Sequence, residues 1–357
     1  MTRYFLKKTG YALLTLFGVV TVIFFLFTIL PGDPAKMMLG QNENAQQVAM
    51  VKKKYGFDKP VWQQYLYYLN DLSPLSFHSN AADDYTFLNP EKYDFITLFR
   101  LKTTTTVLKL PYLRQSFQKN GKPVTQVITE TLPNTFILAL SAISIAMFLG
   151  VLLGVISAVK KDSWIDKSIQ LFSTLGMSVP SFFSAIVFAW LFGFVWHQFT
   201  GLNMTGSLYE VDDLGEGKYI QLKNLILPAI VLGIRPLAVV SQLMRNSLLE
   251  VFNKDYIRTA QAKGLSFYQI IKKHALKNAM NPVITAISGW FASLLAGAVF
   301  VEYIFGWNGL GKEIVDALNT LDLPIIMGAV IVIASLFIII NIFVDILYAW
   351  LDPKVRV

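Results

Sequence analysis

The chain has 357 residues and no cysteine, with 54% hydrophobic and 15% charged residues, and a positive mean hydropathy of +0.50. That balance excludes an ordinary soluble domain and reads as a polytopic membrane protein; without cysteine there is no disulfide framework, thiolate metal site or thiol nucleophile. The formal net charge of +8 would suit a nucleic-acid binder in a soluble chain, but in a membrane protein the placement of the positive residues reports topology, and no nucleic acid is expected as a partner.

A hydrocarbon core of roughly 30 Å takes about 20 apolar residues per helix. Six segments meet that length: Gly10–Leu30, Asn134–Val159, Ile165–Trp196, Asn224–Leu249, Val283–Val301 and Ile325–Trp350. The first follows Arg3, Lys7 and Lys8 as a secretory leader would, yet its apolar run exceeds a leader's roughly 7–15 residues, so it reads as a retained anchor over 1–30. The predicted organisation is then an outer loop region over 31–131, a five-helix core over 132–350 and a tail over 351–357. Arg3, Lys7, Lys8, Lys160, Lys161, Lys167, the basic residues of Asp255–Pro282, Lys354 and Arg356 all fall on one side, whereas the opposite short loops hold Lys218, Lys223 and Lys312. The positive-inside rule therefore predicts both termini in the cytoplasm and the long loop outside.

Along the second span Ala142, Ala146, Gly150, Gly154 and Ala158 recur at every fourth position, and Thr285, Gly289, Ser293 and Gly297 do so in the fifth. Small residues at that spacing let helix backbones approach closely in lipid. The third segment is too long for one perpendicular helix, and Gly176-Met-Ser-Val-Pro180-Ser supplies a break: Pro180 removes a donor, and Ser178 and Ser181 can satisfy freed carbonyls. Either this is a structural kink or a broken helix lining a substrate path. Arg235, followed by Pro236, lies near mid-membrane, where a charge is costly and turned inward; it meets either a buried partner or a wet cavity that sets the charge of a transported solute. Asp345 falls near the cytoplasmic end of the last span and reads as structural.

The segment Asp255–Pro282 is too polar to span and too patterned for a slack linker. Gly264 is expected to end one short helix, and Ser266 with Gln269 forms an S-x-x-Q capping box opening a second. Asn281-Pro282 is expected to close it. Phe267, Ile270, Ile271, Ala275 and Leu276 recur at helical spacing among Lys272, Lys273, His274 and Lys277, which predicts an amphipathic element with one apolar face to dock on something.

No G-x-x-x-x-G-K-[ST] run and no clustered metal-ligand motif is present, and no acid lies at mid-span for an ion-coupled carrier. Neither a catalytic residue nor a cofactor is expected in this chain. An external ATPase docking on the basic segment fits better.

The stretch TAQAKGLSFYQIIKKHALKNAMNPVIT resembles the cytoplasmic "EAA" signature of ABC importer permeases, in the form found in dipeptide, oligopeptide and nickel permeases. The resemblance runs through most of the chain in order: PGDP (Pro31–Pro34), TLPNTFILAL (Thr131–Leu140), SVPSFF (Ser178–Phe183), ILPAIVLG (Ile226–Gly233), RNSLLEV (Arg245–Val251), FVEYIFGWNGLGKEIVDAL (Phe300–Leu318), DLP (Asp322–Pro324) and VDILYAWLDPKVR (Val344–Arg356). It implies an all-α protein of six transmembrane helices with the type I ABC importer permease fold, in a bacterial inner membrane. It also implies a second homologous permease, two cytoplasmic ATPase subunits that bind and hydrolyse ATP, and an extracytoplasmic substrate-binding protein. Ala260, Gly264, Leu265, Ser266, Phe267, Gln269, Ile270, His274 and Leu276 are the expected ATPase-coupling residues, and Ser178, Pro180, Ser181 and Arg235 the candidate path residues. Di- or oligopeptides are the expected solutes; nickel or another small solute, or an ion-coupled secondary transporter, are the alternatives. Two departures stand out: the Glu-Ala-Ala triplet reads Arg258-Thr259-Ala260, and a stretch near 75–111 containing Thr103–Thr106 looks inserted into an enlarged outer loop as a small folded element.

Overall fold

The computed structural model describes residues 2–29, 34–39, 44–81, 84–90, 92–211, 215 and 217–351; Pro31, Gly32 and Asp33 of the first motif, and the tail with Lys354 and Arg356, lie outside the described residues. In chain order the elements are α1 (Thr2–Ile29), α2 (Pro34–Leu39), α3 (Ala45–Tyr55), α4 (Val61–Leu72), β1 (Leu75–Ser79), β2 (Phe95–Arg100), β3 (Thr104–Lys109), α5 (Val124–Val159), α6 (Trp164–Ser178) and α7 (Ser181–Phe188). A π-helical stretch at Ala189–Val195, α8 (His197–Thr200), β4 (Tyr209–Val211), β5 (Lys218–Ile220), α9 (Lys223–Phe252) and α10 (Asp255–Ala262) follow. Then come α11 (Phe267–Ile270), a π turn at Ile271–Ala275, α12 (Leu276–Gly297), α13 (Val299–Phe305), α14 (Leu310–Asn319) and α15 (Leu323–Leu351).

The chain is thus mostly helical and not all-α, since the region between α4 and α5 carries a sheet. Among the described residues five helices are long and apolar enough to cross a membrane: Lys7–Thr28, Val124–Val159, Lys223–Phe252, Phe267–Ala296 and Leu323–Ile346. The pair Trp164–Ser178 and Ser181–Val195, bent by 106°, makes a sixth if counted as one span.

Two compact units divide the chain, one of Gly10–Glu130 with Asp316–Val332 and one of Met1–Thr9, Thr131–Val315 and Ile333–Val357. In the first, Val20, Ile23 and Phe24 of α1 bury against Tyr68 of α4 and Met327 and Ile331 of α15. Thr21 shares a 2.6 Å hydrogen bond with the Tyr65 hydroxyl. The run Thr104-Thr-Thr-Val-Leu-Lys109 is β-branched and alternating, so it forms the central strand of an antiparallel β1-β3-β2 sheet with Thr105, Val107 and Lys109 on the buried face. Asp322, from the DLP motif, is buried and accepts the amides of Phe117 and Gln118 at 3.1 Å each, together with the Ser116 hydroxyl.

In the second unit the small-residue ladder of α5 meets α9. A Cβ at Gly150 would stand 2.7 Å from Val240 Cγ1, and one at Gly154 would stand 2.6 Å from the Ser241 carbonyl oxygen. These are contacts that a methyl group cannot share, and they are what close helix approach requires. The matching ladder of α12 behaves differently: Thr285, Gly289 and Ser293 are not buried as a packed face, and a Cβ at Gly289 would meet nothing within 4 Å.

The FVEYIFGWNGLG motif is locked onto the start of the TLPNT motif. Buried Trp307 donates its Nε1–H to the Asn134 carbonyl at 3.0 Å, Asn134 Nδ2 donates to the Asn308 carbonyl at 2.7 Å, and the Leu310 amide donates to Thr135 Oγ1 at 2.8 Å. Glu302, fully buried, accepts the amides of Gly311 at 2.7 Å and Lys312 at 3.2 Å, satisfying donors at the start of α14. Burial pushes its carboxyl up to about 7, against the pull of Thr135 and the Lys312 and Gly311 amides. In the unfolded chain this group ionises near pH 4.3. The native state therefore keeps a proton that the unfolded chain has lost, so stability present below that pH is lost as the pH rises towards about 7. The unfolding midpoint of the purified protein should fall between about pH 5 and pH 8, and Glu302→Gln should flatten that slope; an unchanged slope in the variant would assign it to other groups.

Candidate functional site: the polar head and the bent span

Gly264 stands one residue beyond Lys263, which caps α10, and takes φ 78, a left-handed conformation that glycine adopts without strain. Two residues on, the capping box is present as the sequence predicts: the Gln269 amide donates to Ser266 Oγ at 3.4 Å, and the Ser266 amide donates to Gln269 Oε1 at 3.0 Å. The predicted closure at Asn281-Pro282 is not found. The helix continues through Pro282 to Gly297, leaving Phe267–Ala296 as one 30-residue helical run. Proline cannot supply the bond to the carbonyl one turn back; around it the Thr285 hydroxyl donates to the Asn281 carbonyl at 3.1 Å, and Asn278 Nδ2 donates to the His274 carbonyl and the Tyr256 hydroxyl, tying this turn to α10. Packing outweighs the missing donor. The fifth span accordingly begins well before Val283, and the capped segment is its polar head, joined to it through the π turn at Ile271–Ala275.

The apolar stripe of this head is largely spent within the chain. Ala260, Ile270 and Ala275 are buried with Val251, Ile257, Ala279 and Val283, and Leu265 and Leu276 pack against that cluster. The expected free apolar face is therefore not there as a whole. Exposed instead are Gly264, Ser266, Phe267 and Gln269, with Tyr268 71% exposed, Lys272 and Lys273 beside it, and His274 half-buried. Tyr268 falls outside the apolar periodicity and so escapes a pattern-based reading; its signal is an aromatic among polar residues next to a capping box.

The second group of candidates converges at the bend. Val179 and Pro180 are extended, as a residue preceding proline prefers, and separate α6 from α7. The Ser178 hydroxyl returns to the Thr174 carbonyl at 2.8 Å. Arg235 on α9 reaches across to the Met177 carbonyl at 3.4 Å, so it stands beside the break although it is 58 residues away in sequence. Ser178 and Arg235 are exposed on the isolated chain, Pro180 is exposed and Ser181 is half-buried, while Pro236 is buried.

A further pair carries no periodic signal in the sequence. Arg245, from the RNSLLEV motif, makes a bidentate bond to buried Asp166, Nε to Oδ1 at 2.8 Å and Nη2 to Oδ2 at 2.7 Å. Asp166 also takes the Asp162 amide at 2.9 Å and the Ser157 hydroxyl. This ties the turn after α5 to α9.

Five or six apolar helices of spanning length, with a capped polar head on one and an arginine at the bend of another, define a multi-pass membrane protein. Residues 150–357 match the family described as binding-protein-dependent transport system inner membrane component, and residues 1–80 match the corresponding N-terminal family. The dipeptide transport system permease protein DppB of Alkalihalophilus pseudofirmus is 32% identical over 100% of both chains. The di/tripeptide transport system permease protein DppB of Pseudomonas aeruginosa is 33% identical over 100% of this chain and 99% of its own; DppB of Escherichia coli K12 is 31% identical with the same coverage. The chain belongs to the family of binding-protein-dependent transport system inner membrane components.

Proposed function

We propose that this chain is the permease subunit of an ATP-driven ABC importer for di- or oligopeptides, contributing half of the translocation path. It assembles with a second homologous permease, two cytoplasmic ATPases and an extracytoplasmic substrate-binding protein, with both termini in the cytoplasm and the sheet-bearing loop, enlarged by the stretch near 75–111, outside. The observation that supports the coupling role is the helical run from Phe267 through the π turn at Ile271–Ala275 into the fifth span, which leaves no non-helical residue between the capped head and the membrane. The peptide assignment is supported by full-length similarity to dipeptide permeases. The second permease is supported by the open small-residue face of α12 at Gly289, which suits close helix approach, and by exposure of Arg235 and the Ser178–Pro180 bend, polar groups that are costly against lipid.

The test is reconstitution with the partner permease, the ATPases and the binding protein, presenting dipeptides, longer peptides and nickel. Peptide-stimulated ATP hydrolysis is the expected result; stimulation by nickel alone, or gradient-driven uptake without ATP, would overturn the reading. Arg235→Gln should shift uptake away from peptides rich in carboxylates by about tenfold, the worth of one charge-assisted contact of ~1.5 kcal/mol, with assembly intact. Unchanged preference would remove Arg235 from the path.

A further inference from the structure

The sheet-bearing unit contains a cavity of about 330 Å³ lined by Lys54, Lys92, Arg114 and the rings of Tyr55, Tyr112 and Phe117, among others. Lys92 Nζ is held over three tyrosine rings, 5.2 Å from the centroid of Tyr85, 4.7 Å from Tyr93 and 5.1 Å from Tyr112. Lys109 stands over Tyr93 at 5.3 Å and donates to the Asp71 carbonyl. Arg114 lies over Tyr68 at 5.1 Å and donates Nε to Asp71 Oδ2 at 2.9 Å.

Among the described residues, cations outnumber carboxylates around this cavity. Lys92, Lys109 and Arg114 are partly or wholly buried around Asp71, whose other carboxylate oxygen already accepts the Tyr93 hydroxyl at 2.9 Å, and Lys54 adds a further cation at the mouth. Asp84, in an adjoining hollow, accepts the amide and hydroxyl of Thr86 at Oδ1 and keeps its charge, so among the described residues two carboxylates, Asp71 and Asp84, stand at or beside the four cations Lys54, Lys92, Lys109 and Arg114. Burial lowers Lys92 and pulls Lys109 down to about 8, while the Asp71 carboxylate pulls both the other way. Rings offset but do not neutralise such charges.

The site is also shaped. Arg114 has φ 67 without being glycine, a conformation that costs on the order of 1–3 kcal/mol and persists where the surroundings impose it. Tyr55, Phe57 and Phe117 form one aromatic wall, with centroid separations of 5.7 to 5.9 Å. Gly56, at φ 71, lets the chain turn beside the Tyr85 ring, which a Cβ there would touch at 3.4 Å.

We infer that this cavity is a binding site for a small organic anion, its carboxylate or phosphate held by Lys54, Lys92 and Arg114 and its planar or apolar body laid against Tyr55, Tyr112 and Phe117. Guanidinium and ammonium groups recognise either oxyanion, and the lining presents three of them to one cavity. The aromatic wall selects for a body beyond the bare ion. The site lies outside the candidate path and coupling residues, so the inference stands apart from the peptide reading.

Calorimetry on the purified full-length chain tests it with N-acetylphenylalanine and phenyl phosphate as probes, and neutral N-acetylphenylalaninamide and inorganic phosphate as controls. At least one organic anion should bind about tenfold or more tighter than the neutral amide and than inorganic phosphate, and the tighter probe names the oxyanion. Lys92→Met should abolish that preference. Lys54→Met, at the exposed mouth where folding does not depend on it, should weaken it several-fold with the unfolding midpoint unchanged. Equal binding of charged and neutral probes, preference unaltered in Lys54→Met, or inorganic phosphate binding as well as the organic anions would each overturn the inference.

Discussion

Tyr268→Asp should lower substrate-stimulated ATP hydrolysis in the assembled transporter by about tenfold or more, the effect of losing one aromatic anchor of an interface. The unfolding midpoint should move little, because a side chain exposed at 71% contributes about 0.5 kcal/mol or less to the fold. Ile270→Ala should do the opposite in kind. Ile270 is 2% exposed in the cluster that roots the head, so its truncation should cost ~2–4 kcal/mol of stability. Coupling then falls only as far as the head loosens. Measuring ATPase stimulation and thermal midpoint side by side for both variants separates a contact with the ATPase from an internal packing role. If both variants lose stability alike, the exposed rim of the head is not a docking surface.

The second large effect belongs to the Asp166–Arg245 pair. Arg245→Met leaves a buried carboxylate without its bidentate donor and should cost ~3–5 kcal/mol, as should removal of either member of a buried pair. The variant with Asp166→Leu and Arg245→Met together should recover much of the loss, since no charge is then stranded. Part of the cost will remain, because Asp166 also holds the Asp162 amide and the Ser157 hydroxyl. A double variant no better than the single one would mean that the turn, rather than the charge pair, is what holds this corner.

Features written in local chemistry are legible in the amino-acid sequence alone. A capping box is complete within four residues, a glycine needed at positive φ follows a helical pattern, and a proline with flanking serines marks a bend in a segment too long to cross straight. The Thr103–Thr106 run announces a folded element, although only the pairing partners Leu75–Ser79 and Phe95–Arg100 make it a sheet. Expectations fail where packing overrides a local signal. Pro282 reads as a stop, yet the buried cluster around Ala279 and Val283 carries the helix through it. The stripe of Ile270, Ala275 and Leu276 reads as a docking face, yet α9 and α10 of the same chain already cover it. Pairings such as Asp166 with Arg245, or Arg235 with the Met177 carbonyl, join distant positions and leave no periodic trace.

The central claim, that the exposed rim of the capped head transmits ATP-driven motion into the fifth span, has a direct measurement because the chain contains no cysteine. Tyr268→Cys provides a unique thiol for a short thiol-to-amine crosslinker in the assembled transporter, with Trp164→Cys, at a site 81% exposed on a different turn, as the control. A crosslinked product between position 268 and an ATPase subunit, with a yield that changes when ATP is added, is expected, and little product from position 164. A product with the ATPase from position 164 and none from position 268 would contradict the claim.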